Sequence, residues 1–319
     1  MRLLWVALLS SFCLQAAVEG VVINGTTGRP QAGVALSLLR LGQGMERLAA
    51  TTSGSDGRFR FEQELAPGAP HLVQARYQDV NYSKTLAPGS PTGAIEIQVF
   101  ETTTDPSVAQ VSQHMILLEP SEGQIAVNET ILMENSSRKT FYDARNGALR
   151  FYLPPEARGK VRVNATGPQG MPLERPAQPT GEPNVYRIDF PVRPGETRFD
   201  LAYTLSGSAT EFRSRILHEG PVKLVAPRGV TLSGPGLKDL GPEPRTQATI
   251  YDVSSRQLEV KLAGSGTLRA GAEAAQQDVQ PRIEQRMPRL YDRLPLLLVL
   301  IGGILVTGFV LLYRSSPAR

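Results

Sequence analysis

Cysteine and tryptophan are all but missing. The 319 residues hold one of each, Cys13 and Trp5, and both stand in the apolar N-terminal segment. A chain exported by way of that segment would keep neither. It would fold without disulfides and so must bury enough apolar surface to hold itself together. Histidine is scarce too: His71, His114 and His218 are far apart in sequence, and none has a second ligand at metal spacing. His218-Glu219 lacks the second histidine of a zinc-protease helix, and there is no Gly-x-Ser-x-Gly elbow, phosphate loop, dinucleotide fingerprint or calcium loop. These absences predict no catalytic residue, no cofactor and no metal. A hydrolase would need histidine and acidic side chains brought together from distant strands. Only six of the 34 basic residues are lysine, and the net charge of +4 is spread singly among Asp and Glu, so no nucleic-acid partner is expected.

What is present in quantity is apolar sequence at both ends. Between Leu296 and Leu312 only Gly302, Gly303, Thr307 and Gly308 interrupt Leu, Ile, Val and Phe, and no charge occurs. Twenty residues, 294–313, at about 1.5 Å each reach roughly 30 Å, the thickness of a bilayer core, which predicts a single transmembrane helix. Pro295 suits its first turn, and Tyr291 and Tyr313 suit the two interfaces. At the other end Met1 and Arg2 precede an apolar run over 3–14, followed by Ala16 and Ala17. This layout predicts a signal peptide over 1–18, cut near Ala16 or Ala17. Phe12 before Cys13 does not suit a lipoprotein signal, which needs a small residue there.

Orientation pits two rules against each other. Arg282, Arg286, Arg289 and Arg293 precede the span while Arg314 and Arg319 follow it, opposite to the usual excess of positive charge on the inner side. A signal peptide sets the direction first, because the chain is already crossing when the span arrives. The expectation is a single-pass membrane protein, its large N-terminal part on the outer side. Residues 314–319 would form a cytoplasmic tail, and 266–293, rich in Ala, Gln, Glu and Arg, a stalk.

From 19 to 100 the pattern is short alternating runs between glycine and proline turns. Val34, Leu36 and Leu38 alternate; Asp56-Gly57 makes a tight turn before Phe59 and Phe61; Val73, Ala75 and Tyr77 alternate; and Ile95, Ile97 and Val99 close the set. About seven strands at this spacing predict an antiparallel β-sandwich. Gly20-Val21-Val22, Thr27-Gly28-Arg29-Pro30, Gly33-Val34-Ala35-Leu36, Ser55-Asp56-Gly57-Arg58-Phe59-Arg60-Phe61 and Pro67-Gly68 together resemble the carboxypeptidase regulatory-like domain. That resemblance implies a transthyretin-like sandwich serving as an accessory module on exported bacterial proteins, and it implies no activity. His71 departs from the family pattern, which commonly has a tyrosine there.

Residues 101–106 are polar and rich in turn formers, a natural boundary. Beyond it, apolar runs at 115–118, 125–127 and 131–133 precede clean alternations at Leu149, Phe151 and Leu153, at Tyr186, Ile188 and Phe190, and at Phe199, Leu201, Tyr203 and Leu205. A Pro- and Gly-rich loop over 166–183 reads as an exposed excursion, and four further runs lie between 222 and 262. The fold class expected is all-β: two antiparallel β-sandwich domains, 19–100 and 107–265, or three if the second divides near Gly207, followed by the transmembrane helix.

Trp5 would leave with the signal peptide, so a sugar-binding platform would rest on other rings. Phe141-Tyr142 and Phe151-Tyr152 each set one ring on either side of a strand, which makes Tyr142 and Tyr152 the candidate ligand-binding pair. Five of seven asparagines begin Asn-x-Ser/Thr sequons, which in a bacterial setting read as turn chemistry. The function expected is a non-catalytic binding or assembly module of the cell envelope, with envelope proteins as partners. The alternative is a carbohydrate- or cell-wall-binding surface protein.

Overall fold

The computed structural model describes residues 18–268 save 43, 64, 67, 169 and 208. The expected signal peptide before residue 18, the stalk beyond 268 and the expected span at 294–313 lie outside the described residues. Within them the chain is all-β, with several sheets that are mostly antiparallel and two 3-10 turns, and no helix there is long and apolar enough to cross a membrane.

Eight strands precede residue 100. They are β1 (Val18–Asn24), β2 (Arg29–Pro30), β3 (Ala35–Leu41), β4 (Met45–Thr52), β5 (Arg58–Phe61), β6 (His71–Tyr77), β7 (Val80–Leu86) and β8 (Ile95–Val99). One sheet joins β2, β5 and β8 to β1; the other runs β4-β3-β6-β7. Alternation turns one row of each strand inward, so that Val22, Phe61 and Ile97 of the first sheet share a buried cluster with Leu38, Val73 and Tyr82 of the second. Gly57 holds φ +76° in the turn before β5, and a Cβ there would lie 2.8 Å from Val22 O, so the turn requires glycine.

Three details differ from the pattern read in the sequence. Val18, assigned to the signal peptide, is fully buried as the first residue of β1 and pairs with Phe61. β4 escaped notice because it is an edge strand whose side chains are mostly exposed, so its apolar residues have no reason to alternate. And β8 runs parallel to β1, where an antiparallel sandwich was expected.

The remaining strands are β9 (Thr102–Thr103), β10 (Gln110–Ser121), β11 (Gln124–Asn135), β12 (Thr140–Phe141), β13 (Leu149–Tyr152), β14 (Arg162–Thr166), β15 (Leu173–Glu174) and β16 (Gln178–Pro179). They continue with β17 (Val185–Ile188), β18 (Gly195–Ser206), β19 (Glu211–Arg215), β20 (Val222–Ala226), β21 (Thr231–Ser233), β22 (Leu237–Pro242), β23 (Thr249–Val253) and β24 (Gln257–Ala263). An eight-stranded sheet runs β15-β14-β18-β11-β10-β20-β23-β22, beside the three-stranded sheets β13-β17-β16 and β19-β24-β21. The large sheet passes from strands before Gly207 to strands after it through the parallel pair β10 and β20, and buried residues from Ala109 to Leu262 form a single cluster. The runs at 125–127 and 131–133 are one twelve-residue strand, β11, interrupted in hydropathy but not in pairing.

The polar stretch 101–106 ties the two regions together. Thr102–Thr103 pairs in parallel with Thr140–Phe141. The Tyr82 hydroxyl lies 3.0 Å from Phe100 O, to which it donates, and 2.8 Å from Thr140 Oγ1. Thr26 Oγ1 donates to Arg138 O at 2.5 Å, and Arg138 Nε donates to Gly25 O at 3.1 Å. Burial removes competing water from the Tyr82 contacts, and the same burial pushes the phenol pKa up.

Candidate functional site: a buried Tyr–Glu–His–His chain

β11 carries a charged residue in the middle of its inward row. Ile125, Val127, Glu129, Ile131 and Met133 all point into the core, and Glu129 is only 5% exposed. An isolated carboxylate would be strongly disfavoured there, so its neighbours must supply compensation. They come from the two flanking strands. Glu129 faces Leu201, while Tyr203 is two residues along β18; on the other side Ile131 faces His114 of β10. Both partners are therefore diagonal to Glu129, a separation that long side chains span.

His114 reaches that row through a backbone irregularity. Between Val111 and Gln113 the pairing of β10 with β11 slips by one residue, a β-bulge that shifts the phase of the strand. Simple alternation from buried Val111 would turn Gln113 inward; after the bulge His114, Ile116 and Leu118 take the inward positions. Residues 217–221, between β19 and β20, bring the fourth member. Gly220 has φ +120°, and a Cβ there would meet Val111 O at 2.4 Å, so only glycine lets this loop lie against the start of β10. Pro221 O accepts a hydrogen bond from His114 N at 3.0 Å, and His218 closes over His114.

The side chains form a line. Tyr203 donates its hydroxyl to Glu129 Oε1 at 2.5 Å; His114 Nε2 lies 2.8 Å from Glu129 Oε2; His218 Nε2 lies 2.9 Å from His114 Nδ1; and His218 Nδ1 lies 2.9 Å from Glu219 O. At the outer end Arg256 donates to His218 O and to Glu219 Oε2. Burial, then the charge of Glu129, raises the Tyr203 pKa well above its ordinary value, so the phenol stays a donor. His218 is half-buried, and loss of hydration is the main cause that lowers its pKa from 6.5 to about 4.

A line is not a ligand cage. Both nitrogens of each ring are taken up within the chain, and among the described residues no group of three or more His, Cys, Asp or Glu is placed to hold a metal. The chain does have the carboxylate–imidazole pairing that orients histidines in acid–base sites. Its outer imidazole ends on a backbone carbonyl.

The other residues singled out by sequence are placed separately. Tyr142 is half-buried against the core of the first region, its N–H donating to Thr103 O at 2.9 Å, and desolvation and Asp189 raise its pKa. Tyr152, on β13, is half-buried beneath Arg215, whose guanidinium carbon lies 5.5 Å from the ring centroid and which also pairs with Glu182. The first ring belongs to the junction and the second to an arginine-capped strand. His71 is buried in the first region, and among the described residues its Nε2 has no hydrogen-bond partner.

His114 and His218, far apart in sequence, are hydrogen-bonded to each other across 104 positions. A local signal for part of this was present: a glutamate in phase with an apolar alternation. The bulge that brings His114 into that row has no comparable mark in the sequence.

No protein-family model matches the chain, and no curated protein matches it. Among solved structures, two of a variant M1 zinc metallopeptidase from Deinococcus radiodurans, one bound to a Tyr-Ser-Ala substrate, align at 14% identity with TM-scores of 0.27 and 0.26. The alignments cover 49% of this chain and 42% of the peptidase chain, so this chain spans well under half of that protein's length. Similarity this low says nothing about activity.

Proposed function

We propose that the protein is a single-pass protein of a bacterial cytoplasmic membrane, and that its extracytoplasmic β-sandwich domains serve as a non-catalytic binding or assembly module. In this reading the first region, to about residue 100, is a carboxypeptidase regulatory-like sandwich. The second, 107–265, is one further sandwich, and a stalk and a transmembrane helix at 294–313 follow. Cleavage after Ala17 would leave Val18 free to begin β1. The observation that carries the non-catalytic part is the use made of the Tyr203, Glu129, His114 and His218 side chains. All four polar groups bond to one another or to Glu219 O, so the chain is spent on holding strands and a loop together. The hydrogen-bonded junction at Tyr82, Thr140 and Arg138 further supports a module that presents both regions as one surface. Partners would be other envelope proteins.

The test is crosslinking in intact cells, with purification through a tag on the tail at 314–319. Reproducible recovery of a specific envelope protein is the expected result. Recovery of the anchor alone, with glycan retained on its outer part, would overturn the assembly reading in favour of a wall-binding one.

A further inference from the structure

The buried chain closes only if it holds one proton more than two neutral imidazoles carry. Its inner end is the Glu129 carboxylate and its outer end the Glu219 carbonyl oxygen. Between them lie three contacts of 2.8, 2.9 and 2.9 Å, and each needs one hydrogen. A neutral imidazole supplies one, so two neutral rings supply two. If those two point outward, to Glu129 and to Glu219 O, the nitrogens His114 Nδ1 and His218 Nε2 present lone pairs to each other at 2.9 Å. We infer that His114 and His218 hold a shared third proton, balanced by the Glu129 carboxylate, and that this proton fastens the 217–221 loop to the eight-stranded sheet at neutral pH, while uptake of a fourth in acid releases it.

The distance identifies the cation. Nitrogens 2.9 Å apart fit an N–H···N bond. A tetrahedral zinc ion with bonds of about 2.0 to 2.1 Å would hold two such nitrogens about 3.3 Å apart. With three hydrogens on the two rings and the Glu129 carboxylate beside them, the chain is neutral overall.

A fourth proton breaks the arrangement. With all four ring nitrogens protonated, His114 Nδ1 and His218 Nε2 become two donors face to face, and a second positive charge enters a half-buried site. The charged and titratable groups around the pair are Glu129 on β11, Tyr203 on β18, Glu219 in the loop and Arg256 between β23 and β24. Burial contributes most to holding the His218 pKa near 4, the Glu219 carbonyl opposes it, and His114 and Arg256 reinforce it. Opening the loop would return the ring towards 6.5, so the opening constant should rise by about thirtyfold between pH 7.5 and pH 5.

Two readouts on the full-length protein in lipid nanodiscs test this. Long-range proton–nitrogen NMR spectra with ring-labelled histidine count protonated nitrogens, and His71→Gln removes the third imidazole. If that variant does not fold, subtracting the spectrum of the double variant His114→Gln/His218→Gln, which keeps only His71, from the wild type isolates the pair. Three protonated nitrogens among the four of His114 and His218 at pH 7.5 are expected; two or four would overturn the shared proton. Hydrogen exchange at the loop amides, corrected for the chemical rate, should show about thirtyfold more opening at pH 5 and a flat profile in His218→Gln. Opening independent of pH in the wild type, or unchanged pH dependence in His218→Gln, would overturn the latch.

Discussion

The two regions obey the same alternation rule and put different things inside. In the first, the inward rows are almost wholly apolar, and His71 sits among them with Nε2 unpartnered. In the second, three neighbouring strands turn His114, Glu129 and Tyr203 inward and the three groups satisfy one another, while Thr197, on the same strand as Tyr203, is buried with Oγ1 unpartnered among the described residues. A buried polar residue thus has opposite consequences according to what surrounds it. Alone it costs its desolvation; inside a matched set it fixes which strands are neighbours and in what register.

The largest expected effect would break the matched set. Glu129→Ala should destabilise the second region by about 3 to 5 kcal/mol, because it leaves His114 and the Tyr203 hydroxyl buried without their acceptor. Denaturant unfolding followed by probes in each region would measure this. Replacing the set together, with Glu129→Leu, His114→Met and Tyr203→Phe, should recover most of the loss. If the triple variant is no better than the single one, the set is not a closed unit.

Acid should come next. The folded-state pKa of His218, about 4, is below its ordinary 6.5, so its contribution is fully present above about pH 6.5 and is lost as pH falls towards 4. Up to about 3 kcal/mol is at stake, reduced by the part of the ring that meets water. The second region should lose stability over that window in wild type and much less in His218→Gln, as read by chemical denaturation at several pH values.

Two smaller effects sharpen the contrast. Tyr82→Phe removes the hydroxyl between Phe100 O and Thr140 Oγ1 and should cost about 1 kcal/mol, seen as weaker coupling between the unfolding of the two regions. His71→Leu removes a buried unpartnered polar atom from the first region, so a gain of roughly 1 kcal/mol is expected in its unfolding midpoint. A loss there would mean that the imidazole has a partner after all.

Much of the fold was legible along the chain. Val34, Leu36 and Leu38, or Phe199, Leu201, Tyr203 and Leu205, announce their buried rows because a strand alternates its faces with period two and each face meets a different solvent. The Asp56-Gly57 turn is local in the same sense, since its backbone requirement is met by the residues in it. β4 was not legible, because an exposed edge imposes no alternation. The candidate site was only half legible: Glu129 breaks an apolar row visibly, whereas His114 joins its row through a bulge.

By itself, then, the sequence determined the β class, the inward rows and the turns, all set by interactions between residues a few positions apart. Tertiary structure alone decided that β10 lies between β11 and β20, that β8 runs parallel to β1, and that His218 closes on His114. Those outcomes depend on strand pairing between distant segments, where backbone hydrogen bonds are alike for every residue. The choice among neighbours falls to how whole faces pack and to where a buried charge finds its partners.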